Sequence, residues 1–164
     1  MDLNRLFITF FGTGLSPKAP GTVGSFAALI VGLLILKILP MESFFMLTIT
    51  ITIIGIFEIN KYELKTGSHD DKSIVIDEVS GMWITLMFSL STAETLSYPY
   101  VYEIAVVFSF ATFRLFDIWK PSTIGKIDRD VKGGLGVMGD DILAGVAGGL
   151  LTIVVLLGVE KVIS

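Results

Sequence analysis

The stretch ILAGVAGGLLTIVVLLGV at residues 142–159 contains no charged residue and is long enough to cross a bilayer as a helix. Four apolar runs of similar length precede it, at 23–39, 43–59, 79–96 and 100–119. A membrane span needs about 17–25 mostly apolar residues. The sequence therefore predicts an all-α fold, a multi-helix membrane bundle with about five membrane helices.

The composition indicates a single folded domain over residues 1–164. Hydrophobic residues make up 52% of the chain and charged residues 17%, which is too apolar for intrinsic disorder. Threonine and isoleucine alternate over 48–53, as in a half-buried strand, but the apolar residues on both sides favour a helix. The apolar segment 6–11 is too short for a signal peptide, so we expect a short interfacial helix there. A soluble all-α domain with very apolar helices is the alternative.

Two residue counts limit the possible chemistry. The chain has no cysteine, which excludes a disulfide scaffold, a thiolate zinc site and a cysteine nucleophile. It has one histidine, His69, which excludes mechanisms that need two histidines. The net charge of −4 argues against a nucleic-acid partner.

The distribution of basic residues predicts a membrane topology. If the N-terminus is cytoplasmic and all five runs cross the bilayer, the inner segments are 1–22, 60–78 and 120–141. These segments hold 9 of the 12 lysines and arginines, whereas the outer connections at 40–42 and 97–99 hold none. This is the positive-inside pattern. It predicts a multi-pass protein of a bacterial-type plasma membrane, with its polar site facing the cytoplasm.

The glycine-rich segment GTGLSPKAPGTVGS at 12–25 is a candidate anion site. Glycines let backbone N–H groups approach a phosphate, and Lys18 and nearby hydroxyl groups add donors. Thr22 or Ser25 could then cap the first membrane helix. The segment lacks the ending of a Walker A loop, so a plain turn into a membrane helix is the alternative.

Acid pairs lie at the predicted inner ends of two membrane helices. Asp77 and Glu78 begin the third, and Asp140 and Asp141 begin the fifth. Taken alone, each pair has a structural explanation, because acids in a first turn interact favourably with the helix macrodipole, by about 0.3–1 kcal/mol.

Near the end of the fourth helix, Arg114 and Asp117 share one helix face. Charges inside a span cost about 2.5–3.5 kcal/mol each and usually face a cavity, although a structural ion pair near the interface is the alternative. With Asp117, five carboxylates lie at inner helix ends, and carboxylate oxygens are ligands for Mg²⁺. Basic residues nearby can bind phosphate, which predicts phosphoryl or phosphodiester chemistry on an anionic phospholipid at the bilayer. These basic candidates are Lys18, Arg114, Lys120 and Arg129.

Four segments resemble, in order and spacing, the signatures of the phosphatidylglycerophosphatase A family. The first three are the glycine-rich segment 12–25, SIVIDE at 73–78 with GMWIT at 81–85, and FRLFDIWKP at 113–121. The fourth comprises Asp128-Arg129, Gly133-Gly134, Gly136, Met138, Asp140-Asp141 and Ala144-Gly145. His69-Asp70 is retained, whereas Asp71 replaces a histidine that the family often carries.

The resemblance implies a small, Mg²⁺-dependent membrane enzyme that hydrolyses phosphatidylglycerophosphate to phosphatidylglycerol and inorganic phosphate. We expect Asp77, Glu78, Asp140 and Asp141 to hold Mg²⁺. The expected catalytic residues are Asp77, Asp117 and Asp141. Asp117 either orients the arginine or acts as base for the attacking water, and a covalent aspartyl-phosphate is the competing mechanism. The expected substrate-binding residues are Thr13, Ser16, Lys18, Thr22, Ser25, His69, Asp70, Arg114, Lys120 and Arg129.

Two other classes of protein are alternatives. A metal-dependent membrane phosphatidyltransferase would carry the Asp-Gly-x2-Ala-Arg signature, which is absent from the sequence. A non-enzymatic membrane carrier would have polar groups along the depth of several spans, whereas here they gather at one side.

Overall fold

A computed structural model describes residues 2–68 and 71–163, and every regular element within these ranges is helical. The fold is therefore all-α, as the sequence predicts. A 3₁₀ turn, Thr13–Leu15, follows the first helix. The α-helices are α1 (Leu3–Ile8), α2 (Pro20–Leu36), α3 (Met41–Thr66), α4 (Ile76–Ala93), α5 (Val101–Trp119), α6 (Thr123–Asp130) and α7 (Gly134–Ile163).

Each predicted apolar run falls largely within one helix, in the order α2, α3, α4, α5 and α7. The alternating residues 48–53 lie inside α3, so the helix predicted there is confirmed and the strand alternative is wrong. By length and composition, α3 and α7 are able to cross a membrane. The count of about five membrane helices stays a prediction. Helix α6 was not predicted.

The long helices carry many exposed apolar side chains. On α2 these include Phe26 and Leu34, and on α3 they include Phe57. On α7, Val154 is 66% exposed. Isolated exposed apolar residues are ordinary, but rows of them along the helices that are long enough to span are typical of a lipid-facing surface.

Helix α4 lies at the centre of the bundle and packs against α2, α3, α5 and α7. Its Trp83 is almost fully buried and donates a hydrogen bond from Nε1 to the Ala28 carbonyl of α2, at 2.8 Å. Burying a tryptophan requires a partner for its N–H group, and this bond supplies one. It fixes the position of α2 against α4.

Small residues bring α4 and α7 together. A Cβ added to Gly145 of α7 would lie 2.9 Å from the Cα of Gly81 on α4, closer than real Cβ contacts. The Thr85 hydroxyl donates across the same contact to the Gly145 carbonyl, at 2.9 Å. Close backbone approach through small residues is a common way for apolar helices to pack. It also brings together the acid pairs that lie a few residues earlier on each helix.

Candidate active site

One cleft collects charged side chains at one end of the bundle. It has a volume of about 390 Å³ and is walled by the first turns of α4 and α7, the end of α5, α6 and the adjoining loops. Most of its charged residues are acids. The charged lining residues are Asp71, Lys72, Asp77, Glu78, Asp117, Lys120, Asp128, Arg129, Lys132, Asp140 and Asp141.

Three carboxylates form a tight cluster within the cleft. One oxygen each of Asp77, Glu78 and Asp141 lies within 4.8 Å of the other two. Glu78 is 8% exposed and Asp141 3% exposed, so water screens their charges poorly. The structure therefore brings together three of the four acids that the sequence predicts to hold a metal ion, from helices α4 and α7.

The cluster fits a hard divalent cation. Asp77 Oδ1, Glu78 Oε2 and Asp140 Oδ1 are buried and have no hydrogen-bond partner among the residues that the structure describes. A buried polar atom without a partner is unfavourable, and oxygen ligands of this kind suit Mg²⁺ and similar ions. Asp140 lies beside the cluster, with its other oxygen bonded to Lys120.

The two acid pairs occupy different positions on their helices. Asp77 and Glu78 lie in the first turn of α4, as predicted. Asp140 and Asp141 do not begin the last helix, because α7 starts at Gly134, where the side-chain oxygen of Asn60 accepts a hydrogen bond from the Gly134 N–H at 2.7 Å. The macrodipole effect fades beyond the first turn. A favourable interaction with the helix macrodipole therefore does not explain the position of Asp140 and Asp141.

Burial and mutual repulsion favour the neutral forms of the α4 acids, which precede the apolar run 79–96. Burial raises the pKa of Glu78 to about 8, and the charges of Asp141 and Asp117 act in the same direction. Burial, followed by the Glu78 charge, also raises the pKa of Asp77 well above its usual range. Without a cation, Glu78 therefore keeps its proton at neutral pH, and a cation that binds must displace that proton.

Arg114 is held by side chains of the protein. Its Nη1 donates to Ser25 Oγ and its Nη2 to Thr22 Oγ1, each at 3.2 Å, and it forms an ion pair with Asp117. Arg114 is not among the residues that line the cleft, whereas Asp117 is. The ion pair that the sequence offers as a structural alternative for Arg114 and Asp117 is present, and it restricts the orientation of the Asp117 carboxylate.

Lys120 links α5 to the acids of α6 and α7. Its Nζ donates to Asp140 Oδ2 at 2.6 Å and also pairs with Asp128. Burial lowers the pKa of Lys120, but the hydrogen bonds to Asp128 and Asp140 outweigh it and hold the pKa above its usual value. The ammonium therefore stays charged and faces the cleft. Arg129 of α6 lines the same cleft.

The glycine-rich segment contributes less of the cleft than the sequence predicts. Thr13 Oγ1 donates to the backbone carbonyls of Thr9 and Phe10. Ser16 Oγ donates to the Lys18 carbonyl, and Lys18 is exposed. None of these three predicted residues lines the cleft, whereas Pro20 and Gly21 do.

The predicted capping of α2 by a hydroxyl is wrong. The helix begins at Pro20, so Thr22 and Ser25 lie within it, and Ala19 occupies the cap position without a side-chain hydrogen bond. The two hydroxyl groups contact Arg114 instead.

Some site residues were either not predicted or cannot be located. His69 and Asp70 lie outside the described residues. Lys72 and Lys132 line the cleft although they were not predicted to. Each lies in the loop that precedes an acid-bearing helix, which is the signal that could have identified them.

A family model and two relatives identify the family of this chain. Residues 6–156 match the family described as PgpA, phosphatidylglycerophosphatase A. Phosphatidylglycerophosphatase A of Escherichia coli K12 is 40% identical over 142 residues, which cover 87% of this chain and 77% of that protein. The Haemophilus influenzae protein of the same name is 36% identical over 142 residues, covering 87% of this chain and 82% of the relative.

A further relative has a different substrate in its name. A Bacteroides thetaiotaomicron protein named "Putative phosphatidylinositol-3-phosphatase" is 38% identical over 142 residues, covering 84% of each chain. No solved structure matches the chain significantly.

Proposed function

The chain belongs to the phosphatidylglycerophosphatase A family, and from this premise we propose that the enzyme hydrolyses phosphatidylglycerophosphate to phosphatidylglycerol and inorganic phosphate. The observation that carries the proposal is the cluster of Asp77 with the buried Glu78 and Asp141, in a cleft that Lys120 also lines. Clustered carboxylates beside a fixed cation can bind a metal ion and a phosphate together.

The proposed cofactor is Mg²⁺, held by Asp77, Glu78 and Asp141 with Asp140 beside them. The partnerless buried oxygens of this group support the assignment. Once bound, the ion would neutralise charge on the phosphate oxygens and so lower the barrier to attack on phosphorus and loss of the glycerol oxygen.

Asp117 is the proposed base. Its carboxylate lines the cleft, and the ion pair with Arg114 restricts its orientation. A water oxygen attacks phosphorus, Asp117 accepts the water proton, and the bond from phosphorus to the glycerol oxygen breaks. The glycerol oxygen then takes a proton from solvent. Lys120 and Arg129 are the proposed phosphate-binding cations, while Thr22 and Ser25 act through Arg114.

A covalent aspartyl-phosphate on one of the acids is the competing mechanism. Acid quenching of a reaction with radiolabelled substrate separates the two. A labelled protein would be recovered only if an aspartate attacks phosphorus, because direct attack by water leaves the label on substrate and inorganic phosphate.

The proposed location is a bacterial-type plasma membrane, crossed about five times, with the cleft facing the cytoplasm. Three observations support this topology. Two helices are long and apolar enough to span, many apolar side chains are exposed, and the predicted inner segments carry most of the basic residues. The cleft contains residues from the predicted inner segments 60–78 and 120–141, which agrees with a phospholipid head group as substrate.

The test is phosphate release from phosphatidylglycerophosphate by the purified protein in detergent micelles, with Mg²⁺ or with a chelator. We expect release only with Mg²⁺, and no release with Asp141→Asn. Asp130→Asn is the matched control, because Asp130 is exposed on α6 and does not line the cleft. Near-normal activity of Asp141→Asn would refute the metal assignment, and absence of release by the unaltered protein would refute the function.

A further inference from the structure

Two lysines at the mouth of the cleft have no role in the proposed reaction. Lys72 lies in the loop before α4, and Lys132 lies in the loop between α6 and α7. Both line the cleft, both are exposed, and neither forms an ion pair within the described part of the chain. Lys120, by contrast, is bonded to two acids deeper in the site.

The acids that line the cleft leave Lys72 and Lys132 without an ion-pair partner in the described part of the chain. The cleft contains more acids than bases, but its acids are already engaged or buried: Asp117 with Arg114, and Asp128 and Asp140 with Lys120. Asp71, the neighbour of Lys72, accepts hydrogen bonds from the Tyr62 hydroxyl at 2.8 Å and the Ser73 N–H at 2.9 Å. The two ammonium groups therefore remain available to an anion that enters from solvent.

The substrate of the proposed function carries two separate anionic groups. Its terminal phosphate monoester has a charge of about −1.5 to −2 at neutral pH and is the group that must reach the buried carboxylates. Its second phosphate is the diester that joins the head group to the lipid and therefore lies toward the membrane. A lysine ammonium, a compact charge on a flexible stem, can bind such a phosphodiester.

We propose that Lys72 and Lys132 bind the phosphodiester of the head group and so select doubly phosphorylated lipids. The inference rests on the proposed function and adds a basis for its head-group specificity. The two lysines reach the cleft from separate loops, each leading into a helix that carries an acid pair. A head group that extends from the two lysines to the acid cluster would place its diester at the lysines and its terminal phosphate at the cluster.

The experiment uses the two reaction products as probes of the two halves of the site. Phosphatidylglycerol in micelles carries only the diester, and inorganic phosphate stands for the group at the carboxylate cluster. Inhibition of phosphatidylglycerophosphate hydrolysis by each product is measured for the double variant Lys72→Gln/Lys132→Gln. Lys126→Gln, on the exposed side of α6 and outside the cleft, controls for the loss of a positive charge.

We expect the double variant to raise KM and the inhibition constant of phosphatidylglycerol by about tenfold or more, as for loss of charge-assisted contacts. The inhibition constant of inorganic phosphate and kcat should stay within about twofold. Equal weakening of both products, or no weakening of either, would overturn the inference while the proposed function stood. Failure of the unaltered protein to release phosphate would overturn both.

Discussion

Replacing Gly21 with alanine tests the proposed site with a single methyl group. Gly21 is the second residue of α2 and lines the cleft. A Cβ at this position would collide with Oε1 of Glu78 and would lie 3.5 Å from Nη1 of Arg114. Because Glu78 is only 8% exposed, its carboxylate must move within the acid cluster.

The expected effects on stability and on catalysis differ in size. In a helix, alanine is more favourable than glycine by up to about 1 kcal/mol, which offsets part of the cost of moving a side-chain end. The free energy of unfolding should therefore change by no more than about 1 kcal/mol. A catalytic group misplaced by about 1 Å can cost roughly a hundredfold in rate. We therefore expect kcat/KM to fall by about ten- to a hundredfold, with weaker Mg²⁺ binding.

Steady-state phosphate release, Mg²⁺ titration and thermal unfolding together measure the outcome. Gly158→Ala is the matched control, since the residue lies inside α7 and the added methyl group would have no atom within 4 Å among the described residues, apart from the adjoining stretch of its own helix. It should leave activity unchanged and slightly raise stability. The reasoning is refuted if Gly21→Ala folds normally and keeps the kcat/KM and Mg²⁺ affinity of the unaltered protein.

Two further predictions concern protonation and the orientation of the base. The affinity for Mg²⁺ should rise between about pH 6 and pH 8, because Glu78, whose pKa burial raises to about 8, must lose its proton to bind a cation. Calorimetry in buffers of different ionisation enthalpy should detect about one proton released per ion, and zero release would contradict this. Arg114→Lys should lower stability by about 1–3 kcal/mol and reduce kcat more than it changes KM, because lysine cannot keep the contacts to Ser25, Thr22 and Asp117. Thermal denaturation measures the loss of stability and steady-state kinetics measure kcat and KM. An unchanged kcat would count against the positioning role of Arg114.

Apolar runs predicted where the long helices lie but not where they end. The run 43–59 marks only the apolar part of α3, which continues to Thr66. The next residue, Gly67, has a φ of +70° and caps the helix. The run 142–159 misses the start of α7 at Gly134. Hydropathy follows the contact of a helix with lipid or core, whereas its polar extensions are fixed by hydrogen bonds such as that from Gly134 to Asn60. That partner is distant in sequence and leaves no local pattern.

The sequence predicted the acids of the site better than the basic and hydroxyl groups around them. Carboxylates within the first two turns of two helices converge when the helices pack side by side in the same direction, as α4 and α7 do. The role of Arg114 depends instead on which residues of α2 lie opposite it on α5. The sequence contains Thr22 and Ser25 as possible phosphate donors, and only the packing of the two helices turns them into ligands of the guanidinium.

The position of Asp140 and Asp141 argues for function independently of the family. In the second turn of α7 they gain little from the helix macrodipole, and they are buried against further carboxylates. Like charges in a poorly screened site oppose folding unless a cation or protons neutralise them. Asp141→Asn should therefore leave the metal-free protein as stable as the unaltered one or more so, while it removes Mg²⁺-dependent stabilisation. Thermal unfolding with and without Mg²⁺ measures both effects, and a large loss of stability in the metal-free variant would show that Asp141 serves the fold instead.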